Sequence, residues 1–76
     1  MPKLPATTGA RATRAFERAG FLFRRQSSSH MVLKHPETGR EISIPVHSGK
    51  TLAPGLLREL IKQSGLTVEE FCQHLK

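Results

Sequence analysis

Residues 41–46 read Glu-Ile-Ser-Ile-Pro-Val and carry the clearest two-residue alternation in the chain. Ile42, Ile44 and Val46 would lie on one side of an extended backbone, with polar residues or proline between them. This pattern predicts a β-strand that buries one face. Because Pro45 has no amide hydrogen to donate, the strand is expected to lie at a sheet edge or to end there.

The two segments before this strand predict its partners. Residues 29–35 form an apolar run in which Met31 and Leu33 would share one face and the residues between them the other. Residues 36–39, Pro-Glu-Thr-Gly, have turn chemistry and join the run to residues 41–46 as a hairpin. Residues 21–26 are aromatic and alternate weakly, which favours a further strand over a helix. A three-stranded antiparallel sheet is therefore predicted.

Helices are predicted before and after these strands in the sequence. Thr7 or Thr8 is a credible N-cap for a helix that runs to Ala19. A second helix is expected from Pro54 until Gly65, and residues 67–75 begin with a capping box and form a short last helix. The order predicts an α+β fold: helix, three-stranded antiparallel sheet, helix and short C-terminal helix.

Length and composition limit the kind of protein. The 76 residues are expected to form one domain, residues 1–76, with residues 1–6 as an extended lead-in and all four phenylalanines in the core. The single cysteine excludes an internal disulfide and favours a reducing compartment. No signal peptide or membrane-spanning stretch is apparent, so the expectation is a soluble cytoplasmic protein.

Positive charge is concentrated in the first part of the chain. Residues 1–50 hold nine Lys or Arg against three Glu, whereas residues 51–76 hold three of each. This asymmetry is typical of a protein with one basic surface that binds nucleic acid and another, neutral part that packs against it. The alternative is a soluble basic protein with no such function. Arg11, Arg14 and Arg18 follow i, i+3, i+7 spacing and form one stripe on the first helix, which fits phosphate contacts or a solvated face.

Histidine is the residue type best suited to proton transfer here. His30 stands where an apolar strand begins, beside Ser28 and Ser29, and an imidazole can take and return a proton near neutral pH. The alternative is a strand-end histidine that simply hydrogen-bonds a serine. His47 lies in a polar turn and is interpreted as shaping it, with a partner acid as the minority interpretation.

Metal chemistry is not expected. His30 and His35 would point to opposite faces of a strand, and aspartate is absent, so neither a zinc site nor paired carboxylates for magnesium are predicted. No glycine-rich phosphate loop is present. We therefore predict no metal and no cofactor.

The order and spacing of several short segments resemble the HicA toxin family. These segments are Ala19-Gly20-Phe21, Ser28-Ser29-His30, His35-Pro36 with Gly39, residues 44–50, residues 55–57, residues 61–66 and residues 69–71. The similarity runs from about Gly9 to Leu75. Two positions depart from the family: Ser28 stands where glycine is usual, and Leu56 where threonine is usual.

The resemblance implies a fold like that of a double-stranded-RNA-binding domain, and it also implies what the protein does. It implies the toxin of a type II toxin–antitoxin pair, a metal-independent endoribonuclease that cleaves mRNA with His30 as catalytic acid or base. The implied partner is a HicB-type antitoxin that covers the toxin and this histidine; free toxin is expected to be monomeric. The expected RNA-binding residues are Arg11, Arg14, Arg18, Arg24, Arg25, Ser28, Ser29 and Lys34. The competing hypotheses are a non-catalytic RNA-binding module of the same fold and a DNA-binding or structural accessory protein.

Overall fold

The computed structural model describes residues 4–47 and 49–75, and within them lie three helices and three strands. In chain order they are α1 (Gly9–Arg18), β1 (Leu22–Ser27), β2 (His30–Lys34), β3 (Glu41–Pro45), α2 (Pro54–Ser64) and α3 (Val68–His74). The α+β fold predicted from the sequence is confirmed. No helix within these residues combines the length and the apolar character needed to cross a bilayer.

The strands form one antiparallel sheet in the order β1-β2-β3. Met31 pairs with Ile44 and Leu33 pairs with Ile42, and directly paired residues share a face. Ile42, Ile44 and Leu33 are almost completely buried under the helices. We call this side of the sheet the inner face and the side without helices the open face.

The core lies between the inner face and the helices. α1 packs against α3 and β3, and α2 packs against β3. Phe16 is central, with ring centroids 5.9 Å from Phe21 and 5.0 Å from Phe71. The buried cluster comprises Ala12, Ala15, Phe16, Phe21, Leu33, Ile42, Ile44, Leu52, Leu57, Leu60, Ile61 and Phe71.

The expectation that all four phenylalanines are buried is wrong for Phe23, whose exposed fraction is 57%. Phe23 pairs with the buried Leu33, so its ring lies on the inner face. All six residues of β1 are nevertheless exposed, because α1 and α2 pack over β3 at the other edge of the sheet and leave β1 uncovered. The ring therefore meets solvent on the side of the sheet where its neighbours are buried.

The helix ends agree with the sequence. The Arg11 amide donates to Thr8 Oγ1 at 3.2 Å, so Thr8 is the N-cap of α1. Thr67 and Glu70 form the predicted capping box of α3 through bonds of 2.8 and 3.1 Å. Gly65 ends α2 in the left-handed conformation.

The start of α1 is pressed against the end of β3. A Cβ added to Gly9 would overlap the carbonyl oxygen of Pro45, so only glycine permits this approach. Beside it, the Leu52 amide donates to the Thr7 carbonyl at 2.8 Å, and Thr8 forms a bridge with Thr51. The end of the sheet that carries Pro45 is thus packed directly against the start of α1.

Candidate nucleic-acid interface

His30 lies in the central strand of the sheet, at the end that carries Pro45. It pairs with Ser27 on one side and Pro45 on the other, both of which have small side chains that leave room around the ring. The alternation of β2 places it on the open face. The ring is exposed, and among the described residues no side chain or backbone group hydrogen-bonds to it. The imidazole is therefore free to contact a ligand.

A two-residue turn, Ser28-Ser29, fixes the position of His30. Ser28 has a φ of +56°, and among the described non-glycine residues it is alone in this conformation. A positive φ at only the first central position is the pattern of a type II′ hairpin turn, which favours glycine. The Val46 amide donates to the Ser29 carbonyl at 2.6 Å and ties the turn to the chain after β3.

Replacement of Ser28 by glycine is expected to stabilise the protein. The left-handed conformation costs a non-glycine residue about 1–2 kcal/mol, and the greater unfolded-state freedom of glycine offsets roughly half of that gain. The free energy of unfolding in urea should rise by about 0.5–1 kcal/mol. Ser29→Gly is the matched control and should be destabilising, because Ser29 has no positive φ. If Ser28→Gly were less stable than the wild type, the positive φ of Ser28 would not be a source of strain.

A β-bulge brings two consecutive arginines to the open face. Phe23 pairs with Leu33, but Arg25 rather than Arg24 pairs with Val32, so Arg24 is the extra residue. Arg25 shares the open face with Val32. Arg24 Nε lies 3.8 Å from Glu41 Oε2, and Glu41 is also on the open face, opposite Lys34. Regular alternation would have sent one of the two arginines to the inner face.

Arg25 is the cation closest to His30 in the strand register. It is the partner of Val32, one step of about 7 Å along the sheet from the His30 pair. Lys34, on the same strand as His30, is four residues along β2 and about 13 Å away. Ser43, exposed and opposite Val32, adds a hydroxyl that sequence reasoning missed; counting pairs back from the hairpin turn would have found it.

The arginine stripe of α1 lies apart from His30. Arg11, Arg14 and Arg18 are exposed on the helix, which covers the inner face of the sheet, whereas His30 is on the open face. With Leu75 they line a cleft of about 140 Å³. Arg18 Nη1 also donates to the carbonyl of His74 at 2.8 Å and so links the ends of α1 and α3. The structure does not bring this stripe and His30 to one surface.

The other histidines have different surroundings. His47 is exposed two residues beyond Pro45, at the His30 end of the sheet, and its carbonyl accepts from the Lys50 amide at 3.1 Å. His35 is a hairpin residue: its Nδ1 accepts from the amides of Glu37 and Thr38, and its ring packs edge-on against Phe21. Within residues 4–47 and 49–75, no three His, Cys or Glu side chains gather as metal ligands would.

Together these features define a small α+β protein with a basic, helix-free sheet face around an exposed histidine. The family model described as HicA toxin of bacterial toxin-antitoxin matches residues 9–66, well over half of the chain. The chain therefore belongs to the HicA toxin family, as its sequence suggested, and is a toxin of the toxin–antitoxin class with an antitoxin as its implied partner. The match ends before α3. Comparison with curated proteins gave no significant match.

Proposed function

We propose that this toxin is an endoribonuclease that cleaves messenger RNA without a metal ion, with His30 as the general acid or base. The observation that supports this proposal best is the exposed, unbonded imidazole on the open face, with Arg25 one step away in the register. An acid–base group must reach its proton directly, and a cation beside it can stabilise the charge that develops on phosphate oxygens.

The reaction needs only the substrate and a proton carrier. His30, as general base, removes the proton of a ribose 2′-hydroxyl, and the oxygen attacks the adjacent phosphorus. The bond from phosphorus to the 5′-oxygen of the next nucleotide breaks, and that oxygen takes up a proton. His47, at the same end of the sheet, is the candidate for the partner acid. The products are a 2′,3′-cyclic phosphate and a free 5′-hydroxyl.

The proposed RNA surface is the open face. Arg25, opposite Val32, and Lys34, two residues beyond Val32 on β2, contact phosphates, and the Ser28-Ser29 turn approaches the RNA backbone beside His30. Arg24 forms an ion pair with Glu41 and therefore contributes less to RNA binding. The arginines of α1, being on the other side of the sheet, act by long-range attraction. Contacts to phosphates carry little sequence information and weaken as salt rises.

The proposed partner is a HicB-type antitoxin that keeps the toxin inactive in the cytoplasm, and the free toxin is proposed to be monomeric. Its net charge of +6 suits an acidic partner as well as RNA.

Cleavage of a defined RNA in EDTA tests the proposal. The purified chain should cut the all-ribose oligonucleotide in excess EDTA, and a single 2′-deoxy substitution should abolish cutting at that linkage alone, because the nucleophile is missing. Loss of activity in EDTA, with recovery on adding Mg²⁺, would contradict the metal-free mechanism. RNA binding without cleavage would instead identify a non-catalytic RNA-binding module.

A further inference from the structure

A shallow apolar groove of about 280 Å³ lies between α1 and the inner face of β1 and β2. Phe23 and Met31 form its floor, Ala10 and Thr13 form its helical wall, and Arg14 and Glu17 lie at its rim. It is open and at the lower limit of pockets that enclose free small molecules. Its size suits one or two side chains of a larger partner.

The groove borders a free sheet edge. β1 is the first strand in the sheet order, so its outer edge is unpaired within the described residues. Two adjacent large apolar residues on it are exposed, Leu22 by 59% and Phe23 by 57%, one on each face of the sheet. Exposed apolar side chains on an unpaired edge are the usual features of a strand that accepts another chain.

We propose that the β1 edge and this groove form the anchoring site for an extended, acidic segment of the antitoxin, which seats an apolar side chain against Phe23. The inference rests on the proposed antitoxin partnership and adds to it the surface and the chemistry of the contact. Main-chain hydrogen bonds to β1 would supply affinity, and the groove would select the alternate side chains that point towards it.

The arginines around the groove determine the sign of the charge expected on the partner segment. Arg24 and Arg25 lie on the edge strand, and Arg14 lies at the groove rim, so carboxylates flanking the apolar anchor would be favourably placed. The same charges disfavour a second copy of this chain, because pairing β1 with β1 would bring the two arginine pairs together.

RNA fits the groove poorly. A base stacked on Phe23 would lie on the inner face, whereas His30 is on the open face. The groove is mainly apolar and suits an apolar side chain better than the phosphates of RNA. A segment along the β1 edge can, however, continue around the sheet and shield the open face. The apolar anchor Phe23 and the histidine proposed for catalysis therefore lie on opposite faces of the sheet.

Peptide binding to the full chain tests this site. The probe is a fluorescein-labelled decapeptide of alternating Leu and Glu, with the Leu and Lys counterpart as control, measured by fluorescence anisotropy. The Leu-Glu peptide should bind saturably and the Leu-Lys peptide at least tenfold more weakly. Phe23→Ala should weaken Leu-Glu binding at least tenfold, as loss of a central aromatic anchor does. Leu56→Ala, which removes another exposed apolar side chain on α2, should leave it unchanged.

A second variant guards against a folding artefact. Ala10 is exposed in the first turn of α1, where a carboxylate is compatible with the helix, so Ala10→Glu should fold normally and repel the acidic peptide. Phe23→Ala and Ala10→Glu should both cleave RNA at the wild-type rate. Because peptide binding is measured without any cleavage, failure of this proposal can be told apart from failure of the proposed function.

Four results would overturn the proposal: no saturable binding of the Leu-Glu peptide, equal binding of both peptides, equal losses in Phe23→Ala and Leu56→Ala, or a Phe23-dependent dimer in sedimentation. Weaker RNA binding by Phe23→Ala would assign the groove to RNA instead.

Discussion

His30→Ala is expected to reduce the rate of RNA cleavage by about 10²–10⁴-fold, the usual contribution of a positioned acid–base group. RNA binding should change little, because the cations that contact phosphate remain. The fold should also be unaffected: the ring is exposed and makes no hydrogen bond within the described part of the chain. Single-turnover cleavage of a labelled RNA, with binding measured separately, checks both parts.

His74→Ala is the matched control. His74 is at the end of α3, and the bond to Arg18 uses its backbone carbonyl, which alanine retains. This variant loses one imidazole but should cleave RNA at the wild-type rate. If the two variants cleave equally well, His30 has no part in the chemistry; if His30→Ala loses binding and cleavage together, its role is contact with the RNA backbone.

Gly9→Ala is expected to have the largest effect on stability. Its new methyl group would overlap the Pro45 carbonyl oxygen, and the neighbour is backbone, which cannot turn aside. Forcing one extra carbon into a packed contact costs about 1–3 kcal/mol. Each kcal/mol lowers the melting temperature of a domain of this size by about 4–8 °C. Thermal unfolding followed by circular dichroism measures the shift.

Gly55→Ala provides the comparison. Gly55 lies in the first turn of α2, and a Cβ there meets no atom within 4 Å. Alanine favours a helix over glycine by up to about 1 kcal/mol, so this variant should be as stable as the wild type or more stable. Equal melting temperatures for Gly9→Ala and Gly55→Ala would show that the contact between α1 and β3 is looser than described. Because Pro45 pairs with His30, Gly9→Ala should also slow cleavage.

The sequence predicted the features that depend on local chemistry. The alternation at residues 41–46 predicted β3 and its buried side, and Pro45 lies at the end of an edge strand as expected. Thr8 and the Thr67 capping box predicted helix starts because a side-chain oxygen meets a nearby amide. These interactions span a few residues, so a pattern in the sequence is enough to identify them.

Features that depend on how elements pack were predicted poorly. Nothing within residues 21–26 shows that the helices sit over β3, and so Phe23 was expected in the core. Leu56 on α2 is also a large apolar residue, yet its exposed fraction is 40%. The order of Arg24 and Arg25 around His30 follows from a bulge, which depends on cross-strand register. Burial and register are properties of the assembled sheet.

The bulge also makes β1 tolerant of a change in length at one position. Deleting a residue from a strand normally turns every later side chain to the opposite side. Phe23 and Arg25 already pair with the consecutive residues Leu33 and Val32, so loss of Arg24 would close the ladder without inverting the rest of the strand. Evolution can therefore gain or discard one positive charge here by insertion or deletion, while the residues leading to the histidine keep their orientation.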